Sequence, residues 1–139
     1  SVTLSNSLES IGERAFEDCS SLASITIPDS VTSIGSGAFS GCSSLGNVTL
    51  PERLKVIESS AFFRCSSLSS INIPDSVISI GGSAFSSCSK LSRITIPDGV
   101  TSIEDSAFWS CFQLTAITWK ETTYSDVNEF MNAFNAANS

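Results

Sequence analysis

Apolar and polar residues follow one another along this chain in a motif that keeps returning. The stretch Leu22-x-x-Ile25-x-Ile27 ends in apolar–polar alternation, the two-residue period of a strand with one buried face. Pro28 has no N–H to offer a ladder and closes that strand, and Pro28-Asp29-Ser30 is turn chemistry. Val31-x-x-Ile34 predicts a return along the opposite wall as a short irregular strand. Gly35 suits a tight corner, and Ala38-Phe39-x-x-Cys42 predicts one short helical turn. The next strand then begins from Leu45.

The same string recurs every 23 residues. Cys19, Cys42, Cys65, Cys88 and Cys111 hold that spacing, as do Pro28, Pro51, Pro74 and Pro97. So do the Ala-Phe pairs that start at Ala15, Ala38, Ala61, Ala84 and Ala107, the Leu column from Leu22 to Leu114 and the Ile column from Ile11 to Ile103. Full coils are expected over 5–27, 28–50, 51–73, 74–96 and 97–119, with 1–4 as the tail of a preceding coil. A coil this short holds a strand and a return path but no full helix, and alone it cannot bury both walls. Stacking coils at about 4.8 Å places each column on itself and makes continuous apolar ladders. The expected fold is a β-rich leucine-rich-repeat solenoid of 23-residue coils, with a parallel sheet on one face and short helical turns on the other.

After Trp119 the pattern stops, with Lys120 where proline is due. Asp126 and Glu129 have the spacing of a capping box, and Val127, Phe130, Met131 and Phe134 fall on one helical face. Residues 120–139 are therefore expected to form a cap whose helix covers the last coil, with Trp119 and Tyr124 in the same plug. The first coil shows no such lid, so further repeats or another domain are expected upstream. A monomer is expected, with edge-to-edge dimerisation through the uncapped first coil as the alternative.

The phrases IPDSVTSIGSGAFSGCSSL (27–45) and IPDSVISIGGSAFSSCSKL (73–91) resemble the BspA-like, or Treponema pallidum-type, leucine-rich repeats, and the likeness runs over 1–119. Departures are few: Glu58 and Glu104 replace the corner glycine, and Val48 stands in an isoleucine column. The resemblance implies a cell-surface or secreted protein of anaerobic bacteria or parasitic protists, most often an adhesion protein recognising host or neighbouring-cell macromolecules. It brings no catalytic residues and no cofactor.

Composition narrows the partners. A net charge of −7, with seven basic residues scattered singly, does not suit nucleic acid or an anionic membrane. No apolar run reaches transmembrane length. Without any histidine, Ser-His-Asp and Cys-His catalysis are ruled out, and with no C-x-x-C pair either, the closely spaced ligands of a zinc site are missing. The five cysteines read as a buried ladder of small hydrophobes. Asp29, Glu52, Asp75 and Asp98 form an acidic column whose neighbouring carboxylates could approach the spacing of a retaining glycosidase. That column sits on an open edge without a pocket, so it reads as a solvated rim, with a weak calcium site as its remaining functional option. No enzyme is expected.

The outward positions of the strand are Ser24, Asn47, Ser70, Arg93 and Ala116, and Thr26, Thr49, Asn72, Thr95 and Thr118. They are short and nearly uncharged, which points to weak or multivalent contact. Residues that break their column are more informative. Trp109 and Phe112 lie in the last coil and are expected to pack under the cap, whereas Phe63 beside Arg64 sits in mid-solenoid. Phe63, Arg64, Arg93, Asn47 and Asn72 are the candidate contacts for a protein or glycoprotein ligand. The competing expectation is a structural spacer that displays another domain.

Overall fold

The computed structural model describes residues 2–139 and shows a parallel β-solenoid of five turns closed by a helix. One wall carries β2 (Ser24–Thr26), β4 (Asn47–Thr49), β7 (Arg93–Ile96) and β9 (Ala116–Trp119). The return wall carries β1 (Ser10–Ile11), β3 (Ser33–Ile34), β5 (Val56–Ile57), β6 (Ser79–Ile80) and β8 (Ser102–Ile103). Pairing is parallel and in register with the repeat: Ser24 faces Asn47, Arg93 faces Ala116, and Ser10 faces Ser33. Each column therefore stacks on itself. The first wall is not one sheet: residues 69–73 are outside any strand, and β2–β4 and β7–β9 form separate ladders on either side.

Between the walls, the Ala-Phe-x-x-Cys segment folds into hydrogen-bonded turns, as in Cys42 N–H to the Phe39 carbonyl at 3.2 Å. The turn wall has its own ladder to the following coil, in which Phe16 N–H donates to Ala38 and Phe39 N–H to Ala61. Two further columns add to it. Arg14, Gly37 and Ser60 donate to Ser36, Ser59 and Gly82; Asp18, Gly41, Arg64 and Ser87 donate to Ser40, Phe63, Ser86 and Trp109. Every one of these donors has a φ between 56° and 76°, in the left-handed region. That backbone turns the N–H along the solenoid axis. The interaction with the next coil offsets a cost of about 1 kcal/mol for each side chain held there.

The corner glycines act differently from the sequence expectation. Gly12, Gly35 and Gly81 are not left-handed. A Cβ on Gly35 would lie 2.5 Å from the Glu13 nitrogen, and one on Gly81 would lie 2.6 Å from the Ser59 nitrogen. These two glycines are required because the backbones of adjacent coils meet there. Next to Gly12 there is open space. Glu104, in the same column, turns its carboxylate back to accept the Gly82 N–H at 3.1 Å.

Inside the tube, Phe16, Phe39, Phe62, Phe85 and Phe108 form one stack, with centroids 5.3–5.7 Å apart and planes within 8°. Leu, Ile, Val, Ala and Cys columns fill the remainder. Beyond β9 the chain makes a feature that the hydrophobic pattern did not predict. Lys120 and Glu121, both with positive φ, turn it into β10 (Thr122–Tyr124), which pairs antiparallel with β9. Then α1 (Val127–Ala137) starts at Asp126, whose carboxylate accepts the Glu129 N–H at 3.0 Å. Phe130 and Phe134 are buried, Phe130 edge-on to Trp119 and Phe134 tilted against it, and Tyr124 packs edge-on to Phe130.

Candidate interaction surfaces

The alternation of β2, β4, β7 and β9 turns Ile25, Ile94 and Ile117 inward and leaves Asn47, Arg93, Thr26, Thr49 and Thr95 exposed. Asn72 is also exposed although its segment is not a strand. Asn72 and Arg93 line one shallow groove of about 320 Å³ with Ser70, Thr95 and Thr118. Asn47 lies on the other side of the interruption, outside that groove. Phe63 and Arg64 belong to the turn segment and not to the sheet. Phe63 is half-buried, with the Arg64 guanidinium over its ring at 5.1 Å. The five candidate contacts are thus divided between two parts of each coil.

The thiols form an internal file. Cys42, Cys65, Cys88 and Cys111 are buried, and each donates its S–H to a phenylalanine carbonyl of the preceding coil at 3.0–3.2 Å. Burial pushes Cys42 and Cys111 up to about 11 and Cys65 to about 12, from an ordinary value of 9.0, and raises Cys88 as well. Such thiols are protonated at neutral pH and poor nucleophiles. Cys19, in the first coil, is half-buried. In the acidic column, the Asp29 carboxylate accepts the Glu52 N–H at 3.1 Å, tying one coil's turn to the next. Among the described residues, no three His, Cys, Asp or Glu side chains are grouped to hold a metal ion.

Trp109 and Phe112 overturn the expectation that they pack under the cap. They are 67% and 82% exposed. Trp119, Tyr124, Phe130 and Phe134 pack against one another between the last coil and the helix, and Trp109 and Phe112 lie beside that cluster. The repeat signalled both residues as column-breakers, but sequence periodicity does not distinguish a ring under a lid from one beside it.

Residues 1–115 match the BspA type leucine-rich repeat region in six copies. The chain belongs to that family. Among solved structures, this BspA-type chain is similar to a leucine-rich cell surface protein from Faecalibacterium prausnitzii, with 38% identity and a TM-score of 0.83 over 92% of this chain and 33% of that one. It is similar to the Treponema pallidum leucine-rich repeat protein at 37% identity and TM-score 0.77, covering 79% of this chain and 51% of that one. A Bacteroides ovatus leucine-rich repeat protein gives 40% identity and TM-score 0.77, over 80% and 29%. The BspA-type chain thus spans between about a third and a half of the length of these relatives. No protein of curated function matches it. No helix of the described residues is long and apolar enough to cross a membrane.

Proposed function

We propose that this BspA-type domain is a non-catalytic binding module of a cell-surface or secreted protein, adhering to a host or neighbouring-cell glycoprotein. The observation that carries this reading is the exposed sheet wall, where Asn72 and Arg93 share one shallow groove and Asn47 stands further along. Asn47 and Arg93 stand on strands paired in register with a neighbouring coil, with Asn72 on the strand-free segment between them, so a ligand meets groups whose spacing is set by the repeat. Short polar side chains with a single arginine favour modest affinity that is amplified by multivalent display. The Phe63–Arg64 pair offers a second contact on the turn wall, where the stacked guanidinium is preorganised. A surface or secreted location is supported by the F. prausnitzii relative, which is described as a cell surface protein. Non-catalytic action is supported by the absence of histidine and by thiols held protonated in the core.

The test is a binding screen of the purified domain against matrix glycoproteins, mucins and a glycan panel. Phe63→Ser with Arg93→Ser serves as the comparison, since serine already occupies the Phe63 column at Ser40 and Ser86 and the Arg93 column at Ser24 and Ser70. Saturable binding that the double variant loses supports adhesion through these residues. Binding to none of the panel overturns it and favours a spacer that displays another part of a longer chain.

A further inference from the structure

The last coil breaks the repeat at two neighbouring positions with large aromatic residues. Phe112 stands in a column otherwise made of Ser20, Ser43, Ser66 and Ser89. Trp109 stands where three of the other four coils have Glu17, Ser40 and Ser86. Asp105 shares its column with Ser36, Ser59, Gly82 and the acidic Glu13, and Glu104, like Glu58, stands where Gly12, Gly35 and Gly81 do. The fold does not need the two rings, because the cap is sealed by other aromatics and both remain exposed. Trp109 is the shared wall of two adjoining grooves. One, of about 420 Å³, lies between Phe112 and the start of α1, with Asp126 and Asn128 opposite. The other, of about 220 Å³, runs past Glu104 and Asp105 to Met131. Three carboxylates line these grooves, and neither is lined by a lysine or arginine.

An accessible indole face attracts cations through its quadrupole, and flanking carboxylates strengthen the attraction. Guanidinium suits such a site best, because it is planar, stacks on the ring and still donates in-plane hydrogen bonds to carboxylates. The same charges repel nucleic acid and anionic lipid, and a second copy of this chain, itself at −7, is a poor occupant. We propose that this end of the solenoid receives an arginine-bearing segment of a basic protein partner, with one guanidinium stacked on Trp109 between Glu104–Asp105 and Asp126. Phe112 packs against the apolar part of the same segment. The surface is distinct from the sheet wall: neither groove is lined by Asn47, Asn72 or Arg93.

The experiment is fluorescence anisotropy with a labelled peptide of alternating arginine and glycine, and with the same peptide carrying glutamine for arginine. Three variants accompany the wild-type domain. Trp109→Ser with Phe112→Ser restores residues the repeat itself uses, so the fold is retained, and it leaves the net charge at −7. Glu104→Gln with Asp105→Ser removes two charges, and Arg93→Ser alters only the sheet wall. Expected is saturable binding of the arginine peptide that weakens as salt rises and drops about tenfold in either double variant but not in Arg93→Ser. Equal binding of the glutamine peptide overturns the proposal, as does unchanged affinity in the aromatic double variant. Displacement of the arginine peptide by cellohexaose would also overturn it, in favour of a glycan. Because Arg93→Ser reports on the sheet wall alone, failure here leaves the adhesion reading to its own test.

Discussion

The sulfur of Cys65 lies 3.2 Å from the carbonyl oxygen of Phe39, twenty-six residues earlier and one coil back, and donates its proton to it. The same relationship links Cys88 to Phe62 and Cys111 to Phe85. One residue type thus fills core volume and ties each coil to the last, and this has measurable consequences.

In the folded protein, Cys19 should be the thiol that reacts quickly with a disulfide reagent, while Cys42, Cys65, Cys88 and Cys111 wait for unfolding. Thiol titration with and without denaturant checks this. Rapid reaction of more than one thiol in native buffer would show that the file is open to solvent.

Alkaline pH should destabilise the domain through these groups. Their folded pKa values are raised by burial, so the folded state holds the proton more tightly than the unfolded chain. The contribution is complete below the ordinary thiol value of 9.0 and declines as pH rises toward about 11 to 12. Within that window Cys65 alone contributes up to about 1.4 kcal/mol of loss per pH unit. Denaturant midpoints at about pH 8 and about pH 10.5 should differ, and Cys65→Ala should shrink the difference.

Two glycines of one column should respond oppositely to alanine. Gly35→Ala forces a Cβ to within 2.5 Å of the backbone of the preceding coil and should cost about 1–3 kcal/mol. Gly12→Ala meets nothing within 4 Å and should be neutral or stabilising by a few tenths of a kcal/mol. Equilibrium unfolding of the two variants decides it; equal effects would mean that the coils are not in backbone contact at Gly35.

Along the phenylalanine stack, position should set the effect. Phe62 is 1% exposed with a ring on each side, so Phe62→Ala should cost about 3–5 kcal/mol. Phe16 is half-buried with a single stacked neighbour, and Phe16→Ala should cost clearly less. Thermal or denaturant melts would show the gradient, and equal losses would argue against a graded stack.

At the cap, Asp126→Ala removes the acceptor for the Glu129 N–H and should cost about 1 kcal/mol. Asp126→Asn should retain most of that stability, which circular dichroism melts can separate.

The coil length, the inward columns and the capping helix were all legible in the sequence, because a strict repeat forces identical residues into identical environments. Leu45, Ile34, Phe39 and Cys42 needed only their spacing to be placed in the core. Less visible was anything depending on backbone handedness. Ser60, Arg64 and Ser87 carry no mark of a left-handed conformation, and the glycine column that draws attention is not left-handed at all. The Lys120–Glu121 hairpin was missed for the same reason, since it lacks the Asn-Gly signature of such turns.

The candidate surfaces divide along similar lines. Period-two alternation places Asn47 and Arg93 outward, so their exposure could be read from the sequence. Which column-breaking aromatics remain in solvent could not: Trp109 and Phe112 required knowledge of where α1 lands and which rings it covers. Sequence alone determined the solenoid, because repetition is local and each coil's hydrophobic face has one place to go. The tertiary structure alone decided the exposed aromatic end with its acidic grooves, because exposure there depends on contacts between segments that no periodicity relates.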